Sequence, residues 1–409
     1  MKQRRSIRLV AGVMALGLVV AACGGDDDDD ATPAESTAEE TADTAEDTAD
    51  TAEATADTAE MTEATAEPID LSGVCPSPIV IQTDWFPEAE HGSLYEMVGD
   101  GYTVDAELMT VTGPLVASGG VDTGIDIEVR TGGPAIGFNT PRVNAYTDDS
   151  IHIVYSSFDA QAAAWADLPM VTVLSPLEIN PQIIMWDADA WPDVETIEDV
   201  GEAGMTINVF GGGGFAPYFV AAGVWGESQV DPSYDGSPAR FIAEGNIAQQ
   251  GFASAEPYNY EFVFEEYGKA PKYQLLHDAG YQSYSQTLAL KPADIDALGP
   301  CLEQFVPITQ QAIVDFAAAP DRALATIIDA VAQFDSFWVY EEGVANYAVE
   351  TMTELGLHGN GPDEIVGNLD EARIQKVIDD ARTAGVDVPE DLVAADMFTN
   401  QFIDESIGF

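Results

Sequence analysis

Three stretches carry side chains that could hold a small molecule. Residues 80–95, Val-Ile-Gln-Thr-Asp-Trp-Phe-Pro-Glu-Ala-Glu-His-Gly-Ser-Leu-Tyr, bring an indole, a phenyl, an imidazole and a phenol into close succession. An indole offers a stacking face, and an imidazole can donate or accept a hydrogen bond. Residues 254–258, Ser-Ala-Glu-Pro-Tyr, add a carboxylate at Glu256, able to accept from a ring N–H or an amine, with Tyr258 and Tyr260 as further stacking faces. Gly211-Gly-Gly-Gly-Phe-Ala-Pro-Tyr218 leaves backbone N–H groups bare at the positive end of a helix, a place for an anion or a carbonyl. It lacks the Lys-Ser/Thr ending of a phosphate-binding loop. Each stretch also has a plainer reading: Trp85 and Phe86 as core with His91 on the surface, the glycines as a flexible connection, Glu256 as a helix cap or a neighbour's partner.

The elements that must position these groups follow from periodicity. Ile79, Val80 and Ile81 are β-branched, predicting a strand that ends at Trp85 and Phe86. Pro87 forbids further pairing. Glu88–Val98 then reads as a short helix with Leu94, Tyr95 and Val98 on one face. The carboxyl end of a strand, just before a helix, is where open α/β sheets bind ligands. Further strands are expected over Val104–Val111, Ile125–Arg130 (leading into Thr131-Gly-Gly-Pro134), Ile151–Ser157 and Met170–Leu174, with a helix over Asp159–Ala166. Ile183–Trp186 reads as the strand that crosses into a second lobe, which holds a helix over Thr196–Glu202, a strand over Met205–Phe210 and a helix through Val224. The chain returns near Tyr281–Leu290. Four amphipathic helices follow, Leu302–Ala318, Asp321–Phe334, Phe337–Leu357 and Asp370–Ala384.

The phrase Asp84-Trp-Phe-Pro-Glu-Ala-Glu-His-Gly-Ser-Leu-Tyr95 resembles the first-strand signature of the solute-binding proteins for thiamine-pyrimidine precursors, whose relatives bind riboflavin, nitrate and sulfonates. The shared pattern is Asp-Trp, a proline turn, then His-Gly and a tyrosine. Gln249-Gln-Gly-Phe252 with Ser254–Tyr258, Trp338-Val-Tyr-Glu-Glu342 and Gly356–Gly361 also resemble that family. The likeness covers most of 78–365 and is weaker between Thr140 and Val200. It implies an α/β, two-lobed periplasmic-binding-protein-like fold of type II, each lobe a mixed sheet flanked by helices, with the ligand cleft between them. Lobe 1 would be 73–185 with 280–409, and lobe 2 would be 186–279. It implies the receptor of an ABC importer, a binding protein rather than an enzyme, working with permease and ATPase subunits as a monomer without cofactor or metal. Residues it places at the ligand are Asp84, Trp85, Phe86, His91, Tyr95, Gly132, Gly133 and Phe138 in the first lobe. In the second it places Glu256 and Tyr258, to which the glycine loop's bare N–H groups add Gly212, Gly213 and Gly214, and Tyr218 adds an aromatic face. The aromatic members suit a flat neutral heterocycle such as an aminopyrimidine; nitrate, taurine or another sulfonate is the alternative. Arg130, Arg142 and Arg240 are the basic residues near the expected cleft loops.

Residues 1–23 read as a secretory signal: Lys2, Arg4, Arg5 and Arg8, then an apolar run from Leu9 to Ala22, too short for a membrane span. Val20-Ala-Ala-Cys23-Gly-Gly resembles a bacterial lipobox, which implies a lipid on Cys23 and anchoring to the outer face of the cell membrane. Residues 24–70 are an acidic Thr/Ala/Glu/Asp repeat with too little apolar surface to fold, expected to be a disordered tether spanning roughly 35 Å. The chain carries 72 acids against 14 bases in 409 residues, a net charge of −58, which opposes contact with nucleic acid. Such acidity also fits a saline habitat. Beyond Cys23 only Cys75 and Cys301 remain, and in an exported protein the two are expected to pair. No Cys-x-x-Cys occurs, and no Gly-x-Ser-x-Gly, His-Glu-x-x-His or Ser-x-x-Lys motif marks an exported enzyme. A fungal pyrimidine synthase of the same fold depends on a cysteine-rich motif that this chain lacks.

Overall fold

Residues 69–409 are described by the computed structural model. The expected signal segment, Cys23 and the acidic repeat up to residue 68 lie outside the described residues. Packing begins within the last positions assigned to the tether, because Ile69 lies against the core and Leu71 is buried with its N–H on the carbonyl of Thr123.

Ile79–Gln82 (β1) is buried at every position, which is why it reads as a continuous apolar run rather than an alternating one. Thr103–Asp105 (β2), Thr110–Ala117 (β3) and Val121–Arg130 (β4) form an antiparallel meander. Ile153–Ser156 (β5) and Val171–Leu174 (β6) follow. Next come Gln182–Trp186 (β7), Ile207–Asn208 (β8), Val230–Asp231 (β9), Ala248–Phe252 (β10) and Lys272–Leu275 (β11), which make a second sheet ordered β11-β7-β10-β8-β9. Thr287–Leu290 (β12) returns to complete a seven-stranded sheet, β2-β3-β4-β1-β5-β12-β6, antiparallel to both its neighbours. The molecule is thus two mixed α/β lobes, and β1 runs parallel to β4 and β5 at the centre of the first.

Local chemistry moved several boundaries. The strand expected over Val104–Val111 is a hairpin, because the Asp105 side chain accepts from the N–H groups of Glu107 and Leu108 at 2.9 Å and turns the chain. The helix expected from Phe337 starts at Glu342 instead. Trp338 Nε1 donates to the carbonyl of Pro87 at 3.3 Å and the hydroxyl of Tyr340 accepts from Ala89 N–H at 2.9 Å, so these aromatic residues lie across lobe 1 in an extended segment. The first crossing also lies earlier than expected: β7 pairs with β10 and β11, so the chain leaves the first sheet before Gln182 rather than at 185/186.

Two segments, 175–181 and 276–286, join the sheets. Arg373, near the start of the Glu371–Thr383 helix, holds both. Its Nη1 donates to Glu178 at 2.9 Å, its Nε to the carbonyl of Gln282 at 2.6 Å, and its guanidinium lies 3.5 Å from the ring centre of Tyr284. Cys75 is bonded to Cys301, buried in the Gly299–Ala318 helix, with Cα atoms 4.7 Å apart across a separation of 226 residues. Among the described residues no helix is long and apolar enough to cross a membrane.

Candidate functional site

The end of β1 is fastened to the end of β4. Thr83 Oγ1 donates to the carbonyls of Arg130 and Trp85 at 2.9 and 2.8 Å, and Gln82 Nε2 donates to the carbonyl of Thr131 at 2.9 Å. Gly132 N–H closes the turn on the Trp85 carbonyl at 3.0 Å. A Cβ at Gly132 would lie 2.2 Å from the backbone oxygen of Thr83, so only glycine lets this loop pass. Gly132→Ala is expected to cost about 1–3 kcal/mol, since a backbone atom cannot swing away. Thermal denaturation checks it, and an unchanged melting temperature would show that the two loops separate freely.

This anchoring presents Trp85 to a cavity of about 350 Å³ between the lobes. From lobe 1 the walls include Asp84, Trp85, Glu88, Gly133, Phe138, Gln286 and Trp338. From lobe 2 they include Gln182, Phe210, Tyr234, Gln250, Phe252 and Glu256. Trp85 is the hub of the apolar part. Its ring centre lies 6.0 Å from Trp338, 6.1 Å from Phe210 and 6.3 Å from Phe138, with near-perpendicular planes toward Trp338. Trp338 in turn stacks on Phe86 with planes 15° apart. Phe210 is held in place by its own N–H, which donates to Gln250 Oε1 at 3.0 Å. Phe138, 57% exposed, stands at the mouth.

The polar part is acidic. Asp84 Oδ1 meets His91 Nε2 at 2.9 Å, and Glu88 Oε1 lies 3.9 Å from the same nitrogen. Glu90, one layer deeper, accepts from Ser254 Oγ across the lobe boundary. Glu256 Oε2 accepts from Phe252 N–H at 2.6 Å. Burial pushes the Glu88 carboxyl well above the usual carboxylate range, reinforced by the charges of Glu90, Asp84 and Glu256. Burial also raises Glu90, against the Ser254 hydrogen bond. Glu256 is pushed up to about 7, again by burial, with the Phe252 N–H opposing.

These shifts set a pH dependence. A carboxyl raised in the folded state holds a proton there that the unfolded chain has already released. Stability contributed by Glu256 is therefore full below about pH 4.5 and is lost as pH rises toward 7, a span worth up to about 3 kcal/mol. The ligand-free protein is expected to melt higher at pH 5 than at pH 8, and Glu256→Gln is expected to flatten that slope. A melting temperature that rises over the same interval would contradict it.

Of the residues singled out in the sequence, Asp84, Trp85, Gly133, Phe138 and Glu256 line this cavity. Phe86, His91 and Tyr95 are buried behind its wall, at 1%, 0% and 1% exposure, so they support it without facing it. Gly132 packs on Thr83 rather than on the cavity. Gly212, Gly213, Gly214 and Tyr218 line a separate cavity of about 340 Å³ against Asp159, Tyr281 and Val377, because the loop turns Gly214 N–H onto Asp159 at 3.1 Å. Tyr258 rests against Phe262 and Tyr347. Glu88, Gln182, Phe210, Tyr234, Gln250, Gln286 and Phe252 are wall residues that sequence reasoning did not mark. Arg130 is engaged by Glu128 and Asp148, Arg142 by Ser156, and Arg240 by Asp231 and Glu244. Among the described residues no group of three or more His, Cys, Asp or Glu is placed to hold a metal ion.

No family model matches this sequence, and no curated protein does. Solved structures do. The ligand-binding component of an ABC-type import system from Staphylococcus aureus, with zinc bound, superposes with a TM-score of 0.51 at 9% identity, covering 79% of this chain and 97% of that one. The alkanesulfonate-binding protein SsuA from Xanthomonas axonopodis pv. citri, bound to MOPS, gives 0.47 at 15% identity over 80% and 99%. The periplasmic nitrate-binding protein NrtA from Synechocystis gives 0.46 at 12% over 80% and 88%. The likeness to the first is one of fold: the two lobes are arranged as in that structure.

Proposed function

We propose that the chain is the extracytoplasmic receptor of an ABC importer. It captures a small heteroaromatic solute, of the pyrimidine or thiamine-precursor kind, and delivers it to permease and ATPase subunits. The observation that carries this reading is one cavity walled by both lobes, with Trp85, Trp338 and Phe138 on one side and Phe210, Tyr234 and Phe252 on the other. A site shared between lobes joined by two crossings lets a ligand favour the closed state by contacts that only that state makes. Flat aromatic walls with a few convergent polar groups suit a heterocycle. Nitrate and sulfonates would call for fixed positive charge or many N–H donors. No Lys or Arg stands among the residues lining this cavity. The resemblance of residues 1–23 to a secretory signal ending in a lipobox supports tethering to the outer face of the membrane through Cys23.

Thermal melting in the presence of pyrimidines, flavins, nitrate and taurine tests the reading, since a solute that binds only the folded state raises the melting temperature. A pyrimidine is expected to stabilise the protein without being consumed. Stabilisation by nitrate or taurine alone would reject the heterocycle. Conversion of the solute would make the protein an enzyme.

A further inference from the structure

We infer that the solute is a cation bearing N–H, held between the aromatic faces and carboxylates supplied by both lobes. The inference rests on the receptor reading above and specifies the charge of what that receptor takes. The polar groups facing the cavity are unequal in kind. Asp84 and Glu88 from lobe 1 and Glu256 from lobe 2 are carboxyl groups that, once ionised, only accept hydrogen bonds. No basic side chain lines the cavity, and the one basic group touching the cluster, His91, is buried behind Asp84.

Gln286 provides an independent sign. It lines the cavity at 2% exposure, and its Nε2 is turned to Asp84 at 3.5 Å and Glu88 at 3.4 Å. Its Oε1 is left buried without a partner. A buried acceptor without a donor is costly unless a ligand supplies one. The backbone of Gln286 has φ +53°, a conformation that non-glycine residues hold only where the surroundings enforce it. Asn139, Gln182 and Gln250 add neutral amides to the wall, so the side-chain charges among the residues lining the cavity are all negative.

The aromatic walls agree with that charge. A cation over an indole or phenol face is attracted by the ring's negative face, and the attraction strengthens as water is excluded. Trp85 and Trp338 on one lobe face Phe210 and Tyr234 on the other. Burial shifts Glu88 and Glu256 toward their protonated forms, and a positive charge held between the two lobes favours their ionisation and is attracted by both, so the charge of the solute itself favours the closed state.

The experiment is calorimetric titration of the full chain at pH 8 with benzamidine, benzamide and benzoate, which share a ring and differ in charge. Benzamidine is expected to bind at least about tenfold more tightly than benzamide, and benzoate not to bind. Glu256→Gln and, separately, Glu88→Gln are expected to reduce the preference for benzamidine over benzamide, with melting curves confirming that both variants fold. Equal or tighter binding of benzamide or benzoate overturns the inference. So does absence of benzamidine binding at millimolar concentration, or an unchanged preference in both variants. Failure of the receptor reading looks different: no solute of any charge then changes the separation of the lobes in small-angle scattering.

Discussion

The Cys75→Ser/Cys301→Ser double variant is expected to unfold with about 5 kcal/mol less stability than the parent chain. The bond spans 226 residues and therefore removes a large closed loop from the unfolded ensemble. Loop-entropy models give that figure for a link of this length, and strain or residual structure reduces it in practice. Cys301 is buried on a helix packed under the first sheet, while Cys75 lies just ahead of β1, so the bond fastens the start of the fold to a helix formed much later in the sequence. Denaturant titration of the double variant beside the parent measures the difference. Coincident transitions would mean that the unfolded chain is already constrained where the bond would hold it.

Trp85→Ala is expected to weaken binding of a stabilising solute at least about tenfold while leaving the fold intact. The indole touches Phe138, Phe210 and Trp338 around the cavity and is only half-buried itself. Stacking on it contributes about 0.5–1.5 kcal/mol beyond burial. The lost contact with Trp338 adds a stability cost of at most about 2 kcal/mol, below the ~3–5 kcal/mol for an enclosed tryptophan. Titration calorimetry and melting of the same variant separate the two roles. Unchanged affinity with a collapsed melting temperature would make Trp85 a core residue and move the site elsewhere.

The first strand was legible because its apolar run, proline stop and aromatic end are local signals. Trp85 and Asp84 could be read there for the same reason. Glu88 stands in the same stretch without a local signal, because the groups that act on it, Gln286 and Glu256, are far away in sequence. Phe210 and Tyr234 depend on how lobe 2 docks, and no local pattern records that. His91 illustrates the reverse. The motif placed it at the ligand, but a short 3₁₀ turn over Ala89–His91 rotates it inward, where it stacks on Tyr155 at 5.0 Å. The four glycines before Phe215 promised an open helix end. Their direction was decided by Asp159 of the other lobe, which takes the Gly214 N–H. Side-chain chemistry was readable from sequence, then, and its direction was not.

Arg373 gives the joint between the lobes a mechanical character. Two ribbons side by side could twist and slide as well as bend. Their cross-tie is one guanidinium, bonded to Glu178 on one ribbon and to Gln282 on the other. Sliding one ribbon past the other would break one of these bonds, whereas folding about the line between them breaks neither. The motion expected from such a tie is a swing about a single axis. A distance label on each lobe should then report two lengths, open and shut, with no spread of skewed poses between them, and Arg373→Ala should broaden that distribution before it changes either mean.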